Sequence, residues 1–248
     1  MAERHFYEQK KHTKSYLIPF FQKYLPNFET YKILEIGCAE AGFLDALHEL
    51  GIETVGLELE GHRVRTAIEK NPELNISVGD ITDEQMIEQI GNSFDLIVMK
   101  DTIEHIPDRT STFSNIVRLL KKKGYLYITF PPKFSPFAGH QQNGKSILQF
   151  IPYLHLLPEK IIRESGKIFR ERPKVIESVI FNSREGLTIR SFEKYCTEFN
   201  FYPVVKELFL FRPIHKTRFG IDTRKVPNIP ILREFISFGC EYLLQKRR

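Results

Sequence analysis

Between residues 31 and 131 five short apolar runs alternate with helical patterns, and this alternation constrains the fold more than any other feature of the chain. The runs cover residues 31–36, 53–58, 75–80, 93–99 and 124–130, and the spacing predicts helices over 41–50, 61–70, 83–91 and 110–121. Strands separated by helices pair in parallel, with helices on both faces of the sheet. The punctuation agrees. Asp83 and Glu84 open the third helix, where its dipole favours acids, and Gly51 and Gly124 stand where the first and fourth helices should terminate. A chain of 248 residues, 42% hydrophobic, suffices for one large domain or a domain plus a cap.

The first run ends in a nucleotide-type loop, Glu35-Ile-Gly37-Cys-Ala39-Glu-Ala-Gly42. Gly37, Ala39 and Gly42 sit at the spacing of a dinucleotide fingerprint, and Glu58 follows at the distance that fingerprint requires. The middle position is alanine, however. A glycine there lets backbone approach a pyrophosphate. S-adenosylmethionine has no pyrophosphate, so a methyl group is tolerated, and Glu35 is a carboxylate suited to that ligand's amino group. Glu58 ends the second run, where a carboxylate can accept both ribose hydroxyls. Asp80 ends the third and can accept from the adenine amino group, with the Ile81 N–H beside it for a ring nitrogen. Acids at the carboxyl ends of successive parallel strands line one crevice, where open α/β sheets bind ligands.

With this ordered set, residues 31–131 resemble the class I S-adenosylmethionine-dependent methyltransferases, in the small-molecule O-methyltransferase branch. The resemblance implies a Rossmann-like, doubly wound α/β sheet of about seven strands, mostly parallel with the last antiparallel. It implies cofactor contacts from Glu35, Gly37, Glu58, Asp80 and Ile81, with Ala39 and Lys100 also counted at the cofactor, and a methyl-transfer site above Lys100 to His105.

Methyl transfer to oxygen needs an aligned nucleophile and often a base. Asp101-Thr-Ile-Glu104-His105 follows the fourth run, and in a helical turn its acids and imidazole share a face. The segment is similar to the acid-x-x-Glu-His segment of ubiquinone-biosynthesis O-methyltransferases and of small-RNA 2′-O-methyltransferases. In the latter a second histidine completes a metal site, and His140 is the match here. His105, His140 and Glu104 are therefore the catalytic candidates. Asp101, Glu104, His105 and His140 form an alternative set for Mg²⁺ or Mn²⁺; a turn-capping or packing role for His105 is the competing reading.

Residues 132–187 break the alternation and read as a substrate cap inserted after the fifth strand. Phe134, Phe137, Phe150 and Tyr153 either wall an acceptor pocket or form ordinary cap core, and His155 reads as packed. The basic stretch 160–174 is either a solvated helix face or a surface for phosphate, lipid headgroup or RNA. Residues 5–25 read as a helix interrupted near Pro19 and lying over the crevice. A helix is expected over 188–200, two strands over 202–220 with Pro213 in the turn, and an amphipathic helix over 229–246. The whole is one methyltransferase domain: core 31–131, cap 132–187, and a C-terminal part 188–248.

A net charge of +5 is modest and fits an ordinary solvated surface. No DNA partner is expected, and the lack of an RRM signature or zinc knuckle weighs against RNA. Three scattered cysteines match neither a zinc site nor a disulfide framework. The start lacks an apolar core, and no apolar run is long enough to span a bilayer. The expected setting is cytoplasmic, with peripheral membrane contact left open. The expected activity is methyl transfer, to oxygen first, on a small-molecule, glycan or lipid-linked acceptor. A metal-assisted RNA 2′-O-methyltransferase, a non-catalytic cofactor-binding subunit and a nicotinamide-dependent oxidoreductase are the rivals.

Overall fold

The computed structural model describes residues 2–91 and 93–247. Its centre is an eight-stranded sheet in the order β3-β2-β1-β4-β5-β8-β6-β7. The strands are β1 (Ile33–Ile36), β2 (Thr54–Glu58), β3 (Ile76–Val78), β4 (Phe94–Lys100), β5 (Leu120–Phe130), β6 (Phe201–Phe211), β7 (Arg224–Lys225) and β8 (Gly239–Lys246). The first five are parallel, and β8 runs antiparallel between β5 and β6. The expected doubly wound sheet is therefore present, with β7 as a two-residue edge beyond the expected seven strands.

Helices cover both faces: α1 (Ala2–His12), α2 (Ile18–Tyr24), α3 (Gly42–His48), α4 (Gly61–Lys70), α5 (Glu84–Ile90), α6 (Arg109–Leu119), α7 (Glu159–Ile168), α8 (Pro173–Glu185), α9 (Ile189–Glu198), α10 (Pro213–Phe219) and α11 (Leu232–Ile236). Their starts follow from local chemistry. Asp83, Asp108 and Thr188 cap α5, α6 and α9 by accepting the amides of Gln85, Ser111 and Ser191. Leu34, Ile97, Phe113 and Phe192 fill one face of the sheet, and Phe21, Phe28, Phe43 and Tyr127 the other. Residues of the cap close over a small core of their own, including Leu148, Ile162 and Val179.

The N-terminal helical pair is broken slightly before Pro19. Residues Thr13–Leu17 form a π-helical turn in which the Ile18 amide donates to the Thr13 carbonyl, five residues back. Pro19 has no N–H to give the preceding turn, so the ladder slips ahead of it.

Three local expectations are corrected. Gly124 does not end a helix: α6 ends at Leu119, and the left-handed residue nearby is Lys123, φ 61°. Gly124 instead lets backbone pass closely, since a Cβ there would lie 3.0 Å from the Lys121 carbonyl. Residues 202–220 are one strand and one helix, with Pro213 at the first turn of α10, where its missing N–H costs nothing. Residues 229–246 are the short α11 and the strand β8, not one amphipathic helix. Tyr242 and Leu243, neighbours in this segment, point into opposite cores. A strand buried on both faces presents a continuous apolar run, which periodicity alone does not separate from a helix.

The register brings function-bearing ends together. Ile36 of β1 pairs with Leu57 of β2 and Met99 of β4, so the Gly37 turn, Glu58 and Lys100 lie at one edge of the sheet. Between β1 and β4 the connections diverge to opposite sides, which opens the crevice. No helix among the described residues is long and apolar enough to cross a membrane.

Candidate active site

A cavity of about 660 Å³ lies over this edge. Gly37, Ala39, Glu58, Asp80, Ile81, Lys100, His105 and His140 all line it. The expected cofactor residues other than Glu35, and two of the three catalytic candidates, thus reach one space. Gly37 (φ 74°) turns the chain after β1. A Cβ at Gly37 would overlap Thr102 Oγ1 and come within 2.6 Å of its Cγ2, so the glycine is required by the β4 loop as well as by the turn.

Glu58 is held by backbone. One oxygen accepts the Ala39 amide at 2.7 Å and the other the Glu60 amide at 2.9 Å. Each oxygen keeps lone pairs for a diol. Asp80 accepts the Thr82 amide at 2.8 Å, and the Ile81 carbonyl accepts Asn115 Nδ2 at 2.8 Å, while the Ile81 amide has no protein partner among the described residues. Paired carboxylate oxygens and an open amide on adjacent strand ends fit an adenosine.

Glu35 departs from expectation. It is fully buried and does not line the cavity; Lys100 Nζ sits 2.9 Å from it and 4.2 Å from the centre of the Phe43 ring. Burial raises the Glu35 carboxyl to about 7 against the pull of Lys100. The ammonium expected from a ligand at Glu35 is supplied by the protein.

His105 and His140 reach the cavity from the loop after β4 and from residues 132–187. The His105 and His140 rings are 4.9 Å apart, and Phe181 of α8 stacks on His105. Ligand atoms of Glu104, His105 and His140 lie within 4.8 Å of one another. Both Glu104 oxygens and His140 Nε2 are buried without a hydrogen-bond partner among the described residues. Burial, then the neighbouring Asp101, pushes the Glu104 carboxyl well above the usual range. Burial lowers His105, and burial with His105 nearby lowers His140 to about 4, so both rings are neutral at neutral pH. Two neutral imidazoles and an unpartnered carboxyl are a donor set that fits a divalent cation.

Asp101 is not part of that set. Its side chain pairs with Arg212 at 2.6 Å, and although burial pushes its carboxyl up, Arg212 holds it below the ordinary value. The expected four-residue metal site is thus a three-residue one. Phe134, Phe137, Phe150 and Tyr153 do not line the cavity either; Phe134 stacks on Phe235, and Phe137 meets Phe238 edge-on. His155 is buried with Nε2 2.6 Å from the Lys133 carbonyl, as a packed histidine should be.

Sequence reading missed the far wall of the cavity. Tyr16 donates to Glu241 at 2.7 Å, Tyr127 donates to the same carboxyl, and Arg212, Arg218 and His12 complete the wall. The alternation of Cys240, Tyr242 and Leu244 around Glu241 was the available signal for a strand. The expected helix hid it.

The family model for a methyltransferase domain matches residues 9–166. The chain belongs to the methyltransferase domain family. Its reaction class is methyl transfer from S-adenosylmethionine. The methyltransferase is 28% identical over 171 residues to a ubiquinone biosynthesis O-methyltransferase of Pseudomonas aeruginosa, covering 66% of this chain and 71% of that protein. It is 33% identical over 100 residues to phosphoethanolamine N-methyltransferase 2 of Caenorhabditis elegans, covering 39% of this chain and 23% of that one. Solved structures share its fold. An S-adenosylmethionine-dependent methyltransferase of Thermotoga maritima, described as a possible histamine N-methyltransferase, has a TM-score of 0.59 at 14% identity, covering 99% and 94% of the two chains. The plantazolicin methyltransferase BpumL in complex with SAH has a TM-score of 0.57 at 15% identity, covering 98% and 85%.

Proposed function

We propose that this methyltransferase acts on a hydroxyl oxygen of a small-molecule, glycan or lipid-linked acceptor held beneath the cap, residues 132–187. The observation that carries the reading is that two neutral imidazoles, His105 and His140, line the same cavity as the Gly37 turn, with the buried Glu104 directly behind them. The bound cofactor supplies a methyl group already activated on a sulfonium. The chain's residues bind, orient and take the proton. Glu58 receives the ribose hydroxyls, Asp80 and the Ile81 amide receive the adenine, and the cap carries acceptor specificity. His105 accepts the acceptor's proton, with His140 orienting the hydroxyl. In the alternative arrangement Glu104, His105 and His140 would hold Mg²⁺ or Mn²⁺, which would lower a hydroxyl's pKa there in place of His105 acting as the base. Three free, buried cysteines fit a reducing, cytoplasmic setting.

The test is product formation on paired hydroxyl and amine acceptors of matched shape, with and without chelator. Methylation at oxygen is expected. Methylation of the amines alone overturns the reading, and chelator-insensitive turnover on hydroxyls removes the cation and leaves His105 as the base.

Lys100 rather than Glu35 faces the amino acid end of the cofactor, and it suits the carboxylate there rather than the amino group. Paired beneath by Glu35, its ammonium faces the cavity where the cofactor's amino acid carboxylate would need a counter-charge. Lys100→Met is expected to weaken S-adenosylhomocysteine binding about tenfold or more, the scale of a lost charge-assisted contact. Binding of 5′-methylthioadenosine, which lacks the amino acid, should hardly change. Equal losses for both ligands in calorimetry would show that Lys100 only supports the fold.

A further inference from the structure

The solvent-exposed apolar side chains of this chain are concentrated on one rim. Phe150, Leu157, Ile161, Ile168 and Phe169 are exposed in the cap, Phe150 at 68% and Ile168 at 72%. Ile161 and Ile168 stand seven residues apart on the outer side of α7, while Ile162 is buried and Gly166 packs on Ile176. Helix α7 therefore presents Ile161 and Ile168 on its solvent side among the charged Lys160, Glu164 and Lys167, in addition to its buried apolar side. The loop before α11 extends the rim with Ile231, 77% exposed. The two parts are joined, because Tyr153 donates to the Phe235 carbonyl at 3.2 Å and the Phe134 and Phe235 rings stack. A continuous apolar rim of this kind is a contact surface.

Charge identifies what it contacts. Lys145, Lys160, Arg170 and Lys174 are exposed on the same segment and form no ion pair among the described residues. The acids around them are already neutralised. Glu159 is paired with Arg163 at 2.8 Å, and Glu164 with Lys167 at 2.8 Å. Glu171 turns inward, accepting the amides of Lys145 at 2.9 Å and Ser146 at 2.8 Å. Free cations thus flank aliphatic side chains. Most of the rim, Leu157, Ile161, Ile168 and Ile231, is aliphatic and gives a base no stacking surface, while Phe150 and Phe169 enter a lipid interface as readily as the aliphatic side chains do, so with free cations beside it the rim suits acyl chains beneath anionic headgroups better than RNA.

We propose that this rim docks the methyltransferase on an anionic lipid bilayer, with Phe150, Ile161 and Ile168 entering the interface and the four cations meeting lipid phosphates. The same cap carries His140 into the cavity, which links docking to a lipid-linked acceptor. The docking surface does not depend on which atom is methylated.

Co-sedimentation of the full chain tests it, with vesicles of equal parts phosphatidylglycerol and phosphatidylcholine against vesicles of phosphatidylcholine alone. Binding to the anionic vesicles should be about tenfold tighter or more, and should weaken as salt is raised. Ile161→Glu with Ile168→Glu should weaken it by about tenfold or more. Lys160→Glu, Arg170→Glu and Lys174→Glu together should abolish the preference for phosphatidylglycerol. All changed positions are exposed, so S-adenosylhomocysteine affinity, which reads the cofactor side separately, should not move. Absence of vesicle binding, or equal binding by all variants, overturns the proposal. So does self-association that the double variant abolishes without any vesicle binding, which would make the rim a contact between copies. Retention on single-stranded RNA without vesicle binding would assign the cations to RNA and overturn it as well.

Discussion

Gly37→Val is expected to abolish S-adenosylhomocysteine binding, lowering affinity by at least about 100-fold, roughly 2.7 kcal/mol. The residue has φ 74°, a left-handed conformation that a β-branched side chain resists. A Cβ would also overlap Thr102, so the turn and the β4 loop would have to part, and these two segments border the cofactor side of the cavity. Ala39→Gly is the control. Ala39 already has φ 53°, so glycine relieves strain there, and its amide still reaches Glu58. That variant should bind as the parent does. Calorimetric titration of both, with circular dichroism to show that the sheet survives, decides the matter. Equal affinities would move the cofactor away from this loop.

His140→Ala is expected to lower turnover on a hydroxyl acceptor by about 100-fold or more, the scale of lost acid–base or metal assistance. Cofactor affinity should be unchanged, since His140 reaches the cavity from the cap and not from a strand end. The pH profile gives a second reading. Burial holds His140 near 4 and lowers His105 from its ordinary 6.5. Both rings are therefore in the proton-accepting form at neutral pH, and turnover should fall only as pH drops below the ordinary histidine range. An acid limb centred at or above 6.5 would mean that neither depressed imidazole governs the reaction. Normal turnover in His140→Ala would make it a structural loop residue, and a loss of cofactor affinity would place the cap over the other half of the crevice.

The cofactor half of this site was legible because its signals are local. A strand ending in an acid, a glycine turn and a helix follow one another within a dozen residues around Gly37. The parallel register then aligns the ends of β1, β2 and β4 with no further information. Glu58 reaches the cavity for that reason, and Asp80 and Ile81 do so because β3 pairs in parallel with β2 in the same way. His105 and His140 were legible only as candidates. What brings them to a ring separation of 4.9 Å is the folding of the cap over the β4 loop, a long-range event that spacing does not encode.

Competition between partners was invisible in the sequence. Glu35 has a ligand-binding position, yet Lys100 claims it, because a buried carboxylate takes the nearest cation. Asp101 fits a metal motif by spacing, yet Arg212, more than a hundred residues on, takes it out of the set. Arg212 could arrive there only because β6 and β8 close the sheet beside β5. That closure was misread in the C-terminal part, where burial on both faces leaves Tyr242, Leu243 and Leu244 as a continuous apolar run and only Glu241 to mark the alternation of a strand. The sequence by itself determined the parallel strands β1 to β5, the crevice at their carboxyl ends and the placing of Glu58 and Asp80 on it, since these rest on neighbours in the chain. Tertiary structure decided which charged groups stay free to act, since that depends on which opposite charge is nearest in space.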